Sequence, residues 1–134
     1  MDSNQKKELI NDAIEARKKS YSPYSHFAVG AALLSKSGKI YLGANIENSA
    51  YPVTVCAERT AMFQAVLAGD TKWDTLAVVC KGGGSPCGSC RQVMAEFSLD
   101  MNVIMADENG SIVAEKTVRE LLPMAFTPES FIPG

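Results

Sequence analysis

The stretch TVCAERTAMF, residues 54–63, decides how this chain is read. It sets a Cys, a Glu and an Arg where an apolar helical run begins. That run, AERTAMFQAVLAG (57–69), has Ala61, Met62, Ala65, Val66 and Ala68 at helical spacing as its buried side, and Gly69 is a natural stop. Arg59 is the odd member. The free N–H groups of a first helical turn already carry partial positive charge, so a cation there calls for something negative close by.

Outward from this helix, the chain alternates. Upstream, FAVGAALL (27–34) and KIYLGANIE (39–47) are short apolar runs separated by SKSG, which predicts a hairpin turning at Gly38. Before them, KELINDAIEARKK (7–19) carries Leu9, Ile10, Ala13 and Ile14 on one side. Residues 3–19 therefore read as an amphipathic helix, stopped by YSPYS. Downstream, TLAVVC (75–80) is a continuous apolar strand covered on both faces. KGGGSP is a loop, and GSCRQVMAEF (88–97) a helix with Val93, Met94 and Phe97 inward. MNVIMAD (101–107) reads as a strand, GSIVAE (110–115) as a possible fifth, and TVRELLP (117–123) as a short helix stopped by Pro123. A hairpin followed by strand–helix alternation predicts a mixed, about five-stranded sheet between helices, a three-layer α/β/α sandwich formed by one domain over residues 1–134.

Composition narrows the function. A formal net charge of −2 gives no basic footprint for nucleic acid. No apolar run is long enough to span a bilayer, and the charged N-terminal segment lacks the apolar core of a signal peptide. The expectation is a soluble, cytoplasmic protein without nucleic-acid or membrane partners.

In such a compartment four cysteines more often bind metal or do chemistry than form disulfides. Cys56 precedes one helix, and Cys87 and Cys90 open another. Each helix follows a strand, so both N-termini can meet at one end of the sheet, where thiolate is favoured. Zinc prefers thiolate sulfur, and a catalytic zinc keeps three protein ligands and an open fourth position. A closed structural site would need Cys80 or His26 as well. Cys80 lies mid-strand and reads as a core thiol, and His26 as solvated. Glu58, two residues past Cys56, is placed to exchange protons with water at the metal without ligating it. Zinc with three thiolates is formally −1, and Arg59 answers that charge. Arg91 is either a second partner of the sulfurs or a surface salt bridge. GGGSP lacks the Lys-Ser/Thr of a phosphate loop.

At these residues the chain resembles the zinc-dependent cytidine deaminases, specifically the short homotetrameric bacterial type. The resemblance rests on PYSHFAVGAAL (23–33), GANIENSAY (43–51), CAERTA (56–61), SPCGSCRQV (85–93) and ELLPMAF (120–126). It implies one zinc per chain on Cys56, Cys87 and Cys90. It implies hydrolysis of cytidine and 2′-deoxycytidine to uridine and 2′-deoxyuridine in pyrimidine salvage, by zinc-activated hydroxide attack on C4, with Glu58 as proton shuttle. It also implies that Asn45, Ile46 and Glu47 hold the ribose, Phe27 walls the base and the Ala57 backbone meets the ring carbonyl. Tyr51 and Phe126 would reach a neighbouring subunit's site. Read alone, Phe27 and Phe126 fit an ordinary core. Pro52, Val53 and Thr54 stand where relatives often carry small residues or a further Cys, which touches affinity and not chemistry. Rival readings are a deaminase of another cytosine nucleoside, such as blasticidin S, and a non-catalytic zinc-binding module.

Overall fold

A computed structural model of the chain describes residues 1–130. Its elements are α1 (Ser3–Arg17), β1 (Val29–Ser35), β2 (Ile40–Ala44), α2 (Ala57–Leu67), β3 (Trp73–Cys80), α3 (Gly88–Phe97), β4 (Asn102–Ala106), β5 (Ile112–Thr117) and α4 (Val118–Leu121), with single 3₁₀ turns at Tyr51–Val53 and Pro128–Ser130. The strands form one mixed sheet in the order β2-β1-β3-β4-β5. β1 pairs antiparallel with β2 and β3, β3 parallel with β4, and β4 antiparallel with β5. The parallel pair is joined by α3, as a crossover requires.

Alternation along the strands divides the core in two. Ala32, Ala77, Val79, Ile104 and Ala106 face Leu9, Ile10 and Ala13 of α1. Ala31, Leu33, Leu76, Val78, Val103 and Met105 face the other way, toward Met62 and Ala65 of α2 and Met94 of α3. The three-layer sandwich is as expected, and β3 is covered on both faces. Small residues let the helices approach closely. A Cβ on Gly43 would stand 2.3 Å from the Ala57 carbonyl oxygen, so α2 lies directly on the backbone of β2. That contact sets the height at which α2 begins.

Three local expectations are corrected. α1 ends at Arg17 rather than at residue 19, because Tyr21 is drawn away to bridge Ile46 and the Arg17 Nε donates to the Ala28 carbonyl at 2.9 Å. Ala68 is exposed, since α2 closes one residue earlier. Phe97 does not point into the core; it leans on Trp73 from the surface, ring centroids 4.9 Å apart.

The register gathers three strand ends. Val29 pairs with Cys80 and Gly30 with Ala44, so β1 starts where β2 and β3 finish. α2 starts beside that end, tied by the Thr60 hydroxyl to the Ala44 carbonyl at 2.9 Å. α3 starts there after the 81–87 loop. Both helices pack on the same face, so their N-termini converge. Among the described residues no helix is long and apolar enough to cross a membrane.

Candidate active site

Cys56 is the N-cap of α2, Cys87 the N-cap of α3, and Cys90 lies in the first turn of α3. Their sulfurs lie within 4.8 Å of one another, with Cys56 Sγ 3.8 Å from Cys87 Sγ and Cys87 Sγ 3.4 Å from Cys90 Sγ. Zinc–sulfur bonds near 2.3 Å at a tetrahedral angle would set the sulfurs about 3.8 Å apart. All three thiols are free, so the trio fits a zinc ion in both donor chemistry and spacing. Cys80 is free and buried and is not part of this cluster.

Charge within the cluster is uneven. A hydrogen bond from the Cys90 thiol, then one from Arg59, brings the Cys56 thiol down to about 5. Cys90, as the donor to a thiolate and fully buried, is pushed far up. The Arg59 Nη2 donates to Cys56 Sγ at 3.3 Å, and that bond holds the guanidinium above its ordinary range. The cation at the mouth of α2 thus has its negative partner one turn back. Arg59 Nε is buried with no partner among the described residues.

Glu58, the second residue of α2, is only 5% exposed. Burial, opposed by its own backbone N–H and reinforced by the Cys56 charge, raises its pKa from 4.5 to about 6. Glu58 lines a cavity of about 290 Å³ together with Phe27, Asn45, Ala57, Cys56 and Cys87. Larger clefts exist, such as one of about 330 Å³ between Lys36, Trp73 and Asp100, but none combines a metal-fitting cluster with a raised carboxyl.

Asn45 and Glu47 flank Ile46, which bridges both Tyr21 and Val55 and so ties the 45–47 segment to the residue before Cys56. Asn45 is buried. Its Oδ1 accepts from the Val29 N–H at 2.9 Å and from the Ser20 hydroxyl, and its Nδ2 donates to the Phe27 carbonyl at 2.8 Å. Glu47 Oε1 accepts from the N–H groups of Tyr24 and Ser25 at 3.0 and 3.1 Å, and Oε2 from the Ser25 hydroxyl. The Ser25 hydroxyl bond is the main reason Glu47 titrates below its usual range. Sequence reading did not find Ser20 and Ser25, because both act across more than twenty residues of chain and no periodicity marks them.

The ordinary-core reading of Phe27 and Phe126 is overturned: they are 44% and 55% exposed. Phe27 lies in the cavity wall, whereas Phe126 and Tyr51 do not line this chain's thiol cavity. Tyr51 is 73% exposed and stacks edge-on against Tyr24. Among the described residues Arg91 makes neither bond expected of it. Its Nε donates to the Pro86 carbonyl at 2.8 Å, Nη1 to the Leu121 carbonyl at 2.7 Å and Nη2 to the Ser85 hydroxyl.

The cytidine and deoxycytidylate deaminase zinc-binding region matches residues 3–106. The chain belongs to this zinc-binding deaminase family. It is 53% identical to a cytidine deaminase of Sporosarcina psychrophila over 124 residues, covering 90% of each chain. It is 52% identical to a cytidine deaminase of Halalkalibacterium halodurans, covering 90% of this chain and 93% of that one. The crystal structure of cytidine deaminase from Burkholderia pseudomallei superposes with a TM-score of 0.86 at 41% identity, covering 94% of this chain and all of the other. The cofactor of this deaminase is therefore zinc, and the Cys56, Cys87 and Cys90 trio is positioned to bind it.

Proposed function

We propose that this deaminase converts cytidine and 2′-deoxycytidine, with water, to uridine and 2′-deoxyuridine with release of ammonia. The observation that carries the reading is Glu58: a buried carboxyl, raised to about 6, in one cavity with the thiol cluster. Zinc held by Cys56, Cys87 and Cys90 supplies the Lewis acidity that makes water a nucleophile near neutral pH. Glu58 does the proton work. Its carboxylate takes a proton from the attacking water and delivers it to N3 of the pyrimidine. It then carries the remaining hydroxyl proton to the amino group at C4, which leaves as ammonia. A group near pH 6 accepts and donates with small penalty in either direction. Arg59 draws charge from the Cys56 sulfur and keeps the electron-rich cluster electrophilic.

The sugar is read by what remains unpaired. Asn45 has both oxygen lone pairs and one N–H engaged, leaving one donor. Glu47 has Oε1 filled twice and Oε2 once, leaving one acceptor. Asn45 lines the thiol cavity, whereas Glu47 lines a separate cleft with Tyr24, Tyr51 and Thr54, so the two groups offer a sugar one donor and one acceptor from clefts that meet at Thr54. Phe27 offers the base a ring face, and the Ala57 backbone a polar contact at the mouth of α2.

The active sites are completed between chains of a homotetramer in the cytoplasm. Supporting this, Tyr51, Met124 and Phe126 are exposed without lining this chain's thiol cavity, as are Phe63 and Leu67 along α2. Four free thiols, three of them clustered, suit a reducing compartment. Phe131, the second phenylalanine of the tail, lies outside the described residues. The test is loss of ultraviolet absorbance from cytidine, deoxycytidine, CMP, cytosine and blasticidin S. Comparable turnover of the two nucleosides, with little of the other three, is expected. Preference for blasticidin S, or turnover of nothing, would overturn the assignment.

A further inference from the structure

The three sulfurs are not delivered by equally rigid chain. Cys56 follows a backbone bridge between Ile46 and Val55, closed by two hydrogen bonds of 2.9 and 3.0 Å. Cys90 is fully buried within α3. Cys87 is exposed and arrives at the end of KGGGSP, in which Gly82 and Gly83 have φ of +75° and +74°. Three successive glycines restrict the backbone little, so the place of Cys87 must be fixed from outside the loop.

Arg91 is one turn beyond Cys87, and its side chain reaches back. One arm of the guanidinium engages Pro86 and Ser85, the two residues before the ligand. The other engages the Leu121 carbonyl at the end of α4. Beside it, the Gln92 side chain donates to the Phe126 carbonyl. No carboxylate forms a salt bridge with Arg91 among the described residues. The thiol cluster already has a cation in Arg59.

We propose that Arg91 is a positioning residue whose guanidinium fork pins residues 85–86 to the end of α4 and so holds Cys87 in register for zinc. It does not act as a charge partner of the sulfurs. The proposal rests on Cys87 being a zinc ligand. The fork is the essential feature: three acceptors in different directions match guanidinium, and an ammonium keeps the charge but not the geometry. Groups that orient a metal ligand are commonly worth 10–100-fold in metal affinity.

The experiment uses the zinc-loaded protein in excess chelating dye and follows zinc release by colour. Arg91→Lys and Arg91→Gln should both release zinc faster than the wild type, by roughly 10-fold or more and to a similar degree. Ser85→Ala, which removes one acceptor without touching α3, should accelerate release by a smaller factor. If Arg91→Lys releases zinc at the wild-type rate while Arg91→Gln does not, the role is charge and the proposal fails. If neither variant changes the rate, it also fails. Should both Arg91 variants fail to fold, Ser85→Ala decides, and a wild-type release rate in it overturns the proposal. Cys87→Ala separates the premise: if that variant keeps its zinc, the ligand assignment is wrong rather than the clamp.

Discussion

Glu58→Gln separates what this side chain does for chemistry from what it costs the fold. The carboxyl is buried, and burial raises its pKa from 4.5 to about 6. A pKa unit is worth about 1.4 kcal/mol, so ionised Glu58 costs the metal-free fold about 2 kcal/mol. The sign follows from the direction of the shift. A carboxyl with a raised pKa favours folding in its protonated form. That contribution is complete below the unfolded value of 4.5 and is lost as the pH rises through about 6. The amide has the same shape and no charge to desolvate. Zinc-depleted Glu58→Gln should therefore be more stable than zinc-depleted wild type by about 2 kcal/mol at about pH 8, and nearly equal to it at about pH 4. Urea unfolding at the two pH values measures the difference. The zinc-loaded variant should keep its metal and lose more than the roughly 10²–10⁴-fold of a single acid–base group, because in the proposed reaction Glu58 serves several proton transfers. A stability difference that does not change with pH would refute the burial argument. Near-normal turnover would refute the catalytic one.

Arg59→Gln leaves the thiol cluster more electron-rich, so the acidic limb of the pH–rate profile should move to higher pH; an unchanged profile and rate would make Arg59 purely structural. Gly43→Ala puts a Cβ 2.3 Å from the Ala57 carbonyl oxygen, and α2 must lift from β2. A loss of about 1–3 kcal/mol in thermal or urea unfolding is expected, with reduced kcat because Glu58 moves with the helix. On the proposed shared-site assembly, refolding Glu58→Ala together with Phe126→Ala should restore activity well above that of either weak variant alone, since a mixed assembly holds sites with one intact residue from each chain. Mixed tetramers identified by mass but inactive would show that Phe126 does not act in trans.

The parts of this protein that sequence reveals are those written locally. The bounds of α3, Gly88–Phe97, coincide with the reading because Pro86 precedes the cap and apolar spacing carries the rest. The metal cluster was legible for the same reason: Cys56 and Cys87 are caps, and capping is a local property. α1 was read two residues too long, because its end is set by Tyr21 pairing with Ile46, a contact across twenty-five residues. Phe27 and Phe126 illustrate the limit of hydropathy, which ranks them as core while their positions leave them half exposed. Arg91 was legible as a residue beside a ligand but not as a clamp, since one of its acceptors lies thirty residues away. Ser20 and Ser25 had no legible signal at all.

The most direct test is to incubate the zinc-loaded protein with cytidine in heavy-oxygen water and weigh the product. Uridine carrying one heavy oxygen at C4, with one ammonia released per uridine, and its disappearance in Glu58→Gln, is the predicted result. Cytidine recovered unchanged, or uridine without heavy oxygen, would contradict a hydrolytic deamination driven from this site.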